Sequence, residues 1–455
     1  MLTRNGFVLD ESHDRQTHQK ELTVRPLANN DFGFPPPPFK VFRKTTKSIC
    51  VPQFYAREKI GPPPEDKRVA PTKFQTKITF NGKLRKETSQ DIALSKGIEA
   101  GNGVLSLPCG YGKTTVALAI ALKLGLRTMI VVHKEFLANQ WRERIKQFCP
   151  GATIGTVQRD KIEVDCDFVI AMLQSLSLKE YEASQFDSIG TVFIDEAHHI
   201  CAKVFSKSMF KICAKHMYGL SATPERKDGL TRLLHWFVGP TFFSIERENQ
   251  TQVEVFPTTF SCSFFNEPPP TMRNGKISFV QMITDLVELP ERNLMLYNLV
   301  KKLLKCDRQI LVLSDRRAHC ILLKAQFKDD VSGLYMGGMK EADLEESSKK
   351  NVIFATFSQA HEGLDIPTLD TVILSTPKSD IKQSVGRILR ETTGKKNNPQ
   401  IYDIRDSWSL LNAMYYKRRK VYVEGGFKFI DSEQVQEDNK NKGFFSKCVI
   451  TDTLQ

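Results

Sequence analysis

The sequence predicts an α/β fold with two parallel sheets flanked by helices, preceded by a small accessory module. From about residue 84 onward, short apolar runs alternate with segments of helical length. This alternation is typical of parallel strands joined by crossover helices. It occurs in two sets separated by a less regular stretch, and a length of 455 residues suits two large domains better than one.

Each element of the two sets is predicted from a continuous apolar run or from helical spacing of apolar residues. Two segments of helical length follow the first two strands, TTVALAIALKLG and EFLANQWRERIKQF. The first set of strands is predicted at 104–108, 128–132, 168–172, 191–195 and 217–221, and the second at 309–314, 351–356, 371–376 and 400–405. The predicted domains are an N-terminal accessory module (1–80) containing a stiff proline spacer, a first α/β domain (81–240), a connecting region (241–290), a second α/β domain (291–430) and a polar C-terminal tail (431–455).

The composition limits the partner and the compartment. Lys and Arg number 65 against 52 Asp and Glu, which gives a net charge of +13. This surplus favours a polyanionic partner, nucleic acid before membrane, although a basic surface kept for solubility is an equal alternative. The ten cysteines lack the spacing of a zinc site or a redox dithiol, so we expect reduced thiols in the cytoplasm or nucleus. No apolar run of membrane-spanning length and no secretory leader are expected.

The stretch LPCGYGKTT, residues 107–115, lies between a predicted strand and a predicted helix. This context is typical of a loop that cradles phosphates with backbone N–H groups, and the alternative is a glycine-rich turn without a ligand. Leu107 stands where the full pattern has glycine, but it precedes the cradle. Lys113 is expected to neutralise the β- and γ-phosphates, and the Thr114 hydroxyl to bind Mg²⁺. The predicted ATP-binding residues of the loop are Pro108, Cys109, Gly110, Tyr111, Gly112, Lys113, Thr114 and Thr115.

The stretch TVFIDEAHH, residues 191–199, ends an apolar strand in two carboxylates. A carboxylate at the carboxyl end of a central strand is well placed beside a phosphate loop. Asp195 is expected to hold Mg²⁺ through water, and Glu196 to orient or deprotonate the attacking water. The alternative is an acidic strand end that faces solvent.

These motifs, with Ser221-Ala222-Thr223 and QSVGRILR (383–390), occur in the order and spacing of superfamily 2 DEAH-box-like helicases, which the chain resembles over about 84–395. In that superfamily the first glycine of the loop is commonly replaced. LPCGYGKT and GLSATPERKDG resemble the branch that holds the DNA translocase subunit of TFIIH, a phage recombination helicase and the transcript-release helicases of large DNA viruses. The resemblance implies two tandem RecA-like domains and the use of ATP with Mg²⁺.

The resemblance also implies roles for individual residues. Arg387 and Arg390 would reach the γ-phosphate from the opposite domain, a contribution of roughly 10³–10⁵ in rate where it is measured. Taken alone, each of these short motifs also fits a surface helix, a turn or a helix cap. The implied catalytic set is Lys113, Asp195, Glu196, Arg387 and Arg390; further nucleotide contacts are Gln90, Gly363 and Asp365; the coupling set is His198, Ser221, Ala222, Thr223 and Gln383; and the nucleic-acid contacts are Lys134, Gln174, Ser175, Arg226 and Thr356.

The implied activity is an ATP-dependent helicase or translocase on nucleic acid, with DNA favoured. Three alternatives stay open: an RNA helicase, a double-strand translocase that does not separate strands, and a degenerate nucleotide-sensing binding module. We expect a monomer that works with transcription or replication proteins of a virus, in the cytoplasm or nucleus of the host cell or packaged in a virion, without membrane contact.

Overall fold

The computed structural model describes residues 1–27, 36–108, 110–226, 228–245, 253–362, 364, 366, 368–381, 385 and 397–430. The chain divides into two compact units, Met1–Glu246 and Arg247–Gln455. Within the described residues no helix has both the length and the apolar character needed to cross a bilayer. All eight cysteines in this part of the chain are free thiols.

The N-terminal residues of the first unit form a small antiparallel sheet in the order β1-β2-β6-β5, beside a separate β3–β4 pair. Their apolar side chains form a core of their own that includes Phe7, Val51 and Tyr55, with Trp236 of the larger domain packed against it. The elements are β1 Leu2–Thr3, β2 Gly6–Leu9, α1 Arg15–Glu21, β3 Thr23–Val24, β4 Phe39–Lys40, β5 Arg43–Lys44, β6 Ile49–Val51 and α2 Gln53–Lys59.

The large sheet of the first unit has eight strands in the order β10-β9-β11-β8-β12-β13-β7-β14, parallel except for the edge strand β10. The strands are β7 Gly103–Ser106, β8 Thr128–Val132, β9 Ile154–Gln158, β10 Lys161–Ile162, β11 Phe168–Met172, β12 Thr191–Ile194, β13 His216–Ser221 and β14 Thr241–Ser244. The helices are α3 Gln90–Ala100, α4 Lys113–Leu124, α5 Glu135–Phe148, α6 Leu173–Leu178 and α7 Thr231–Val238, with 3₁₀ turns at Lys86–Thr88, Ala183–Phe186, Ala197–Cys201 and Phe205–Phe210.

This sheet is buried on both faces, which explains why its strands are continuous apolar runs. In β8, Met129 and Val131 enter one hydrophobic core, and Ile130 and Val132 enter the core on the opposite face. Successive side chains of a strand point to opposite faces, so both sets must be apolar. Strands with this pattern therefore need helices on both sides of the sheet.

The second unit holds a seven-stranded, fully parallel sheet in the order β17-β18-β16-β19-β20-β15-β21. Its strands are β15 Glu254–Phe260, β16 Ile310–Ser314, β17 Ser332–Tyr335, β18 Val352–Thr356, β19 Thr371–Leu374, β20 Gln400–Asp406 and β21 Lys428–Phe429. The helices are α8 Phe279–Glu288, α9 Pro290–Leu304, α10 Arg317–Lys324, α11 Glu341–Ser348, α12 Phe357–Glu362 and α13 Ser409–Glu424, with a 3₁₀ turn at Ser263–Asn266.

Two buried ion pairs fix the segment that follows β19. Arg292 binds Asp406 through two hydrogen bonds of 2.8 and 3.0 Å and donates a third, of 2.8 Å, to the Ser375 carbonyl. Arg418 binds Asp403 and donates to the Lys378 carbonyl at 3.0 Å. Buried charges are tolerated when they are paired and fully hydrogen-bonded. Both ends of residues 375–378 are therefore held from the core.

The predicted α/β class with two parallel sheets flanked by helices is confirmed by this topology. The region 241–290, predicted as an irregular connection, differs from expectation because it carries β14, which belongs to the first sheet, and β15, which lies inside the second. The predicted domain limits stay a prediction.

Candidate active site

The candidate site lies at the carboxyl edge of the first sheet, where β7, β13 and β12 end side by side. The loop 107–112 follows β7, Ser221 ends β13, and Asp195 follows β12. The Leu107 N–H donates to the Ser221 carbonyl at 3.2 Å, and the Asp195 N–H donates to the Val131 carbonyl at 2.9 Å. Parallel strands present their carboxyl ends at one edge, so the topology itself brings these motifs together.

Two glycines shape the phosphate loop. Gly110 and Gly112 have φ angles of 87° and 79°, in the left-handed region that favours glycine. A Cβ atom on Gly112 would lie 2.4 Å from Gln90 Nε2, so a larger residue does not fit there. Lys113, Thr114 and Thr115 follow in the first turn of α4, where the unpaired N–H groups of a helix attract anions.

Leu107, the departure from the full pattern, is buried in the core between the sheet and its helices. Its side chain packs inward while its backbone carbonyl accepts a 3.0 Å hydrogen bond from Lys113 Nζ. The glycines of the loop therefore come after this position, and Lys113 rests on the loop's own backbone in this structure. Pro108 and Tyr111 are half-buried on the loop.

Gln90 begins α3 and binds the phosphate loop directly. Its Oε1 accepts from the Arg85 N–H at 2.9 Å, and its Nε2 donates to the Tyr111 carbonyl at 2.8 Å. The Arg85 guanidinium also reaches the loop and donates to the Gly110 carbonyl at 2.7 Å. These contacts of Arg85 were not predicted, although Arg85 lies only five residues before Gln90, a predicted nucleotide contact.

Asp195 is half-buried, and two donors hold its carboxylate. Trp141 Nε1 donates to Oδ2 at 2.9 Å, and the Glu196 N–H donates to Oδ1 at 3.0 Å. Burial, and next the neighbouring Glu196 carboxylate, raise the pKa of Asp195 above its usual range, against the hydrogen bond from Trp141 and the charge of Lys113. Trp141 is a site residue that the motif pattern did not predict.

Glu196 is held in an unusual backbone conformation, with a φ angle of 45°. Such a conformation costs about 1–3 kcal/mol in a residue other than glycine and is found disproportionately at functional sites. Its Oε2 atom is buried and has no hydrogen-bond partner among the described residues; His198 Nδ1 lies 3.6 Å away. A carboxylate oxygen without a donor keeps its capacity to accept a proton from a ligand.

A row of histidines leads away from this carboxylate. His198 Nδ1 lies 3.4 Å from the Ser221 hydroxyl, which also accepts the Thr223 N–H at 3.2 Å; Ala222 lies half-buried between these two residues. The His198 ring lies 4.4 Å from that of His199, which in turn lies 4.0 Å from that of His133. His133 directly precedes Lys134, so a continuous path of contacts joins the carboxylate edge to a predicted nucleic-acid contact.

The predicted nucleic-acid contacts in the first unit have varied surroundings. Lys134 caps α5, Gln174 Nε2 donates to the His133 carbonyl, and the Ser175 hydroxyl accepts the Arg159 N–H at 3.0 Å. Arg226 is paired with Asp228 and donates to the His198 carbonyl at 2.8 Å. These bonds hold the Arg226 side chain in place, and its predicted contact with nucleic acid stays a prediction.

In the second unit, one of the predicted site residues belongs to the part that the structure describes. Thr356 ends β18 and is buried, with its hydroxyl 3.4 Å from that of Ser358. Six predicted site residues lie outside the described residues, and their roles stay predictions: Cys109, Gly363, Asp365, Gln383, Arg387 and Arg390.

The donor set at the edge fits Mg²⁺ held together with a nucleotide. Within the described ranges no group of three or more His, Cys, Asp or Glu side chains is arranged to hold a metal by itself. Mg²⁺ is usually bound by one or two carboxylates together with substrate phosphates, so no such group is needed. The Asp195 carboxylate and the Thr114 hydroxyl provide suitable oxygens.

The chain is similar in sequence or in structure to several known proteins. The family described as "Type III restriction enzyme, res subunit" matches residues 79–226. A protein of Acanthamoeba polyphaga mimivirus with the provisional name "ATP-dependent RNA helicase" is 35% identical over 479 residues, covering 99% of this chain and 91% of its own length. A protein of Invertebrate iridescent virus 6, provisionally named a helicase, is 26% identical and covers 78% of this chain and 83% of its own length. The crystal structure of the Pyrococcus furiosus Hef helicase domain aligns with 74% of this chain and 99% of its own, at 15% identity and a TM-score of 0.47.

Proposed function

Because this chain belongs to the superfamily 2 helicases and is therefore an ATP-dependent helicase, we propose that ATP binds at the edge formed by β7, β13 and β12. The observation that carries the proposal is the convergence of three elements there: the glycine loop with Lys113, the Asp195–Glu196 pair, and Ser221. ATP hydrolysis at this edge would drive movement along nucleic acid.

The loop and α3 would hold the nucleotide. Because Gly110 and Gly112 have no Cβ atoms, a phosphate could approach the backbone N–H groups of the loop closely, and the dipole at the start of α4 would attract its negative charge. Lys113 Nζ would give up its hydrogen bond to the Leu107 carbonyl and bind phosphate oxygens instead. The Gln90 amide retains one N–H and one lone pair beyond its present bonds, which matches the donor and acceptor pair on the adenine edge.

The two carboxylates would divide the chemistry. Thr114 and Asp195 would hold Mg²⁺, which supplies charge neutralisation at the phosphates. The Glu196 oxygen without a hydrogen-bond donor would orient the attacking water and accept its proton. His198 Nδ1 lies 3.6 Å from Glu196 Oε2 and 3.4 Å from the Ser221 hydroxyl, so it would respond to hydrolysis through these two residues.

Nucleic acid would be held mainly through its phosphates, by Lys134, Gln174, Ser175 and Thr356. Such contacts position the polymer but do not distinguish DNA from RNA. DNA is the predicted polymer, whereas the name of the mimivirus relative contains RNA. A double-strand translocase that does not separate strands is a further alternative, which strand-displacement and triplex-displacement assays would separate. We propose a viral role in transcription, replication or repair, in the cytoplasm or nucleus of an infected cell.

The test compares Lys113→Ala with Lys123→Ala, an exposed lysine at the other end of the same helix. Phosphate release is measured with single- and double-stranded DNA and RNA, beside equilibrium binding of each polymer. Lys113→Ala should lose roughly 10²-fold or more of the ATPase rate with nucleic-acid binding retained, and Lys123→Ala should behave as the unmodified protein. Full ATPase activity in Lys113→Ala would remove the phosphate loop from the proposal.

A further inference from the structure

An exposed basic patch lies on the antiparallel sheet of the N-terminal residues. Strand β5 is the edge of that sheet, and its two residues, Arg43 and Lys44, are both exposed, as is Lys47 in the turn to β6. None of these three cations forms an ion pair with another described residue. We call Arg43, Lys44 and Lys47 the basic hairpin.

No carboxylate in the part of the chain that the structure describes forms an ion pair with the basic hairpin. Arg43 donates to the Asn5 side-chain carbonyl at 3.2 Å, which leaves its charge unpaired. The Lys47 carbonyl accepts from Arg15, whose partner Glu11 lies 3.9 Å away, so that pair adds no net charge. An edge strand with exposed cations is protected from pairing with other strands, and it also offers a row of positive charge to an anion.

Strand pairing and hydrogen bonds hold the basic hairpin in place on the first unit. Strand β5 pairs with β6, which pairs with β2 in the same sheet. Arg4, in the turn between β1 and β2, donates to the backbone carbonyls of Ile189 and Asp187 at 2.9 and 2.8 Å. The Arg4 carbonyl accepts the Cys213 N–H at 3.1 Å. A charge carried on this sheet therefore keeps its position relative to the large sheet.

The patch continues toward α6, the helix that carries the predicted nucleic-acid contacts Gln174 and Ser175. Lys211 Nζ donates to the Leu176 carbonyl at 3.0 Å and to the Lys179 carbonyl, both at the end of α6. Burial first, and then the charges of Arg43 and Lys207, lower the pKa of Lys211 against the opposing charge of Glu180. Lys207 lies in the 3₁₀ turn Phe205–Phe210, whose residues Met209 and Phe210 share one hydrophobic core with Leu176 of α6. Cys50, the β6 residue that pairs with Arg43, belongs to the same core. One core therefore joins the basic hairpin, the turn with Lys207 and the end of α6.

We infer that Arg43, Lys44, Lys47 and Lys207 bind the phosphate backbone of the nucleic acid beyond the stretch held at α5 and α6. The inference rests on the proposed function, since it extends the surface along which the polymer would lie. Four exposed cations without an ion-pair partner among the described residues suit a polyanion, and contacts with its phosphates carry no sequence information. The N-terminal residues would thus lengthen the grip of the first unit on its substrate.

The test measures how the binding constant depends on salt. A labelled duplex and a labelled single strand are titrated with the full chain from about 50 to about 200 mM KCl, and log K is plotted against log[KCl]. The triple variant Arg43→Ala, Lys44→Ala and Lys47→Ala should flatten this slope by up to about 2.7 on duplex and about 2.1 on single strand, from about 0.9 and 0.7 per phosphate contact. The ATPase rate without nucleic acid should not change.

Two control proteins keep the test sharp. The first control is a triple variant that removes the same number of positive charges near the end of α9, where the chain leads into the amino end of β16: Lys301→Ala, Lys302→Ala and Lys305→Ala. Its slope should equal that of the unmodified protein. Arg43→Lys with Lys44→Arg and Lys47→Arg keeps the charge and should also keep the slope.

The outcomes separate the two proposals. An unchanged slope in the triple alanine variant, with normal binding by the unmodified chain, overturns the role of the basic hairpin and leaves the proposed function intact. An equal loss in the α9 control also overturns it, because the effect would then be one of net charge. Failure of the unmodified chain to bind any of the polymers removes the proposed function itself.

Discussion

Trp141→Phe should move the acid limb of the ATPase pH profile to higher pH. The Trp141 indole N–H donates to the Asp195 carboxylate at 2.9 Å, in a place where burial and Glu196 already raise the pKa of that carboxylate. Phenylalanine keeps an aromatic ring but removes the donor to the ionised form. A hydrogen bond to a charged group contributes about 1.5–3 kcal/mol, and one pKa unit corresponds to about 1.4 kcal/mol. The pKa of Asp195 should therefore rise further, and the acid limb should move to higher pH by about one to two pH units.

The assay is kcat/KM for ATP against pH, which reports groups of the free enzyme. Trp236→Phe is the matched control, because Trp236 is a half-buried tryptophan of the same unit that packs on Tyr55 with ring centroids 5.2 Å apart. The control should keep the acid limb of the unmodified protein. If the limb of Trp141→Phe stays in place, or moves to lower pH, the electrostatic account of Asp195 is wrong.

Three further substitutions test neighbouring features. Glu196→Gln removes a negative charge beside Asp195, so ATP hydrolysis should stop while the protein without nucleotide becomes more stable. The midpoint of thermal unfolding should rise by about 2–4 °C for each kcal/mol of added stability in a unit of this size. A lower midpoint in calorimetry would contradict this. His199→Ala should lose several-fold of the stimulation of ATPase by nucleic acid, and His199→Phe should restore it by stacking on His133; equal loss in both would exclude the stack as the route. Burial, and then the charge of Arg292, lower the pKa of His319 to about 3. Below about pH 6.5 the unfolded chain therefore binds a proton that the folded chain does not, so the stability of the protein should fall from there towards pH 3. In thermal melts, His319→Gln should make that fall less steep.

The sheets were predictable because their strands are long apolar runs. The predicted strands 128–132 and 168–172 and the predicted helix 135–148 coincide with β8, β11 and α5. A strand covered on both faces needs apolar residues at every position, and an amphipathic helix needs them on one face only. These two patterns are visible in a single sequence. The motifs after β7, β12 and β13 then meet at one edge because the strands are parallel neighbours.

Contacts between distant residues were not predictable. Trp141 and Asp195 are 54 residues apart, and Arg292 and Asp406 are 114 apart. Neither pair leaves a local signal, since a buried arginine and an exposed one look alike in a single sequence. The hydrogen bonds of Arg226 belong to the same class, because its pairing with Asp228 depends on how the intervening turn folds.

Strand β15 escaped prediction for a local reason. Its sequence, EVFPTTF, holds Pro257, and a proline argues against the interior of a sheet because it cannot donate to the ladder. The strand nevertheless pairs with β20 along all seven of its residues. Long-range pairing has here prevailed over the local preference of one residue.

The position of β15 governs how the second half of the protein can be produced by itself. A polypeptide started at the predicted domain limit of residue 291 would lack the strand that separates β20 from β21. The ladder groups of β20 would then be bare over seven positions, and β21 would lose the neighbour with which it pairs. Such a product should self-associate, whereas one started shortly before residue 254 should remain monodisperse in size-exclusion chromatography. The order of strands in the second sheet therefore decides where a gene fragment for this half should begin. A fragment that begins at the boundary predicted from sequence would omit an interior strand of that sheet.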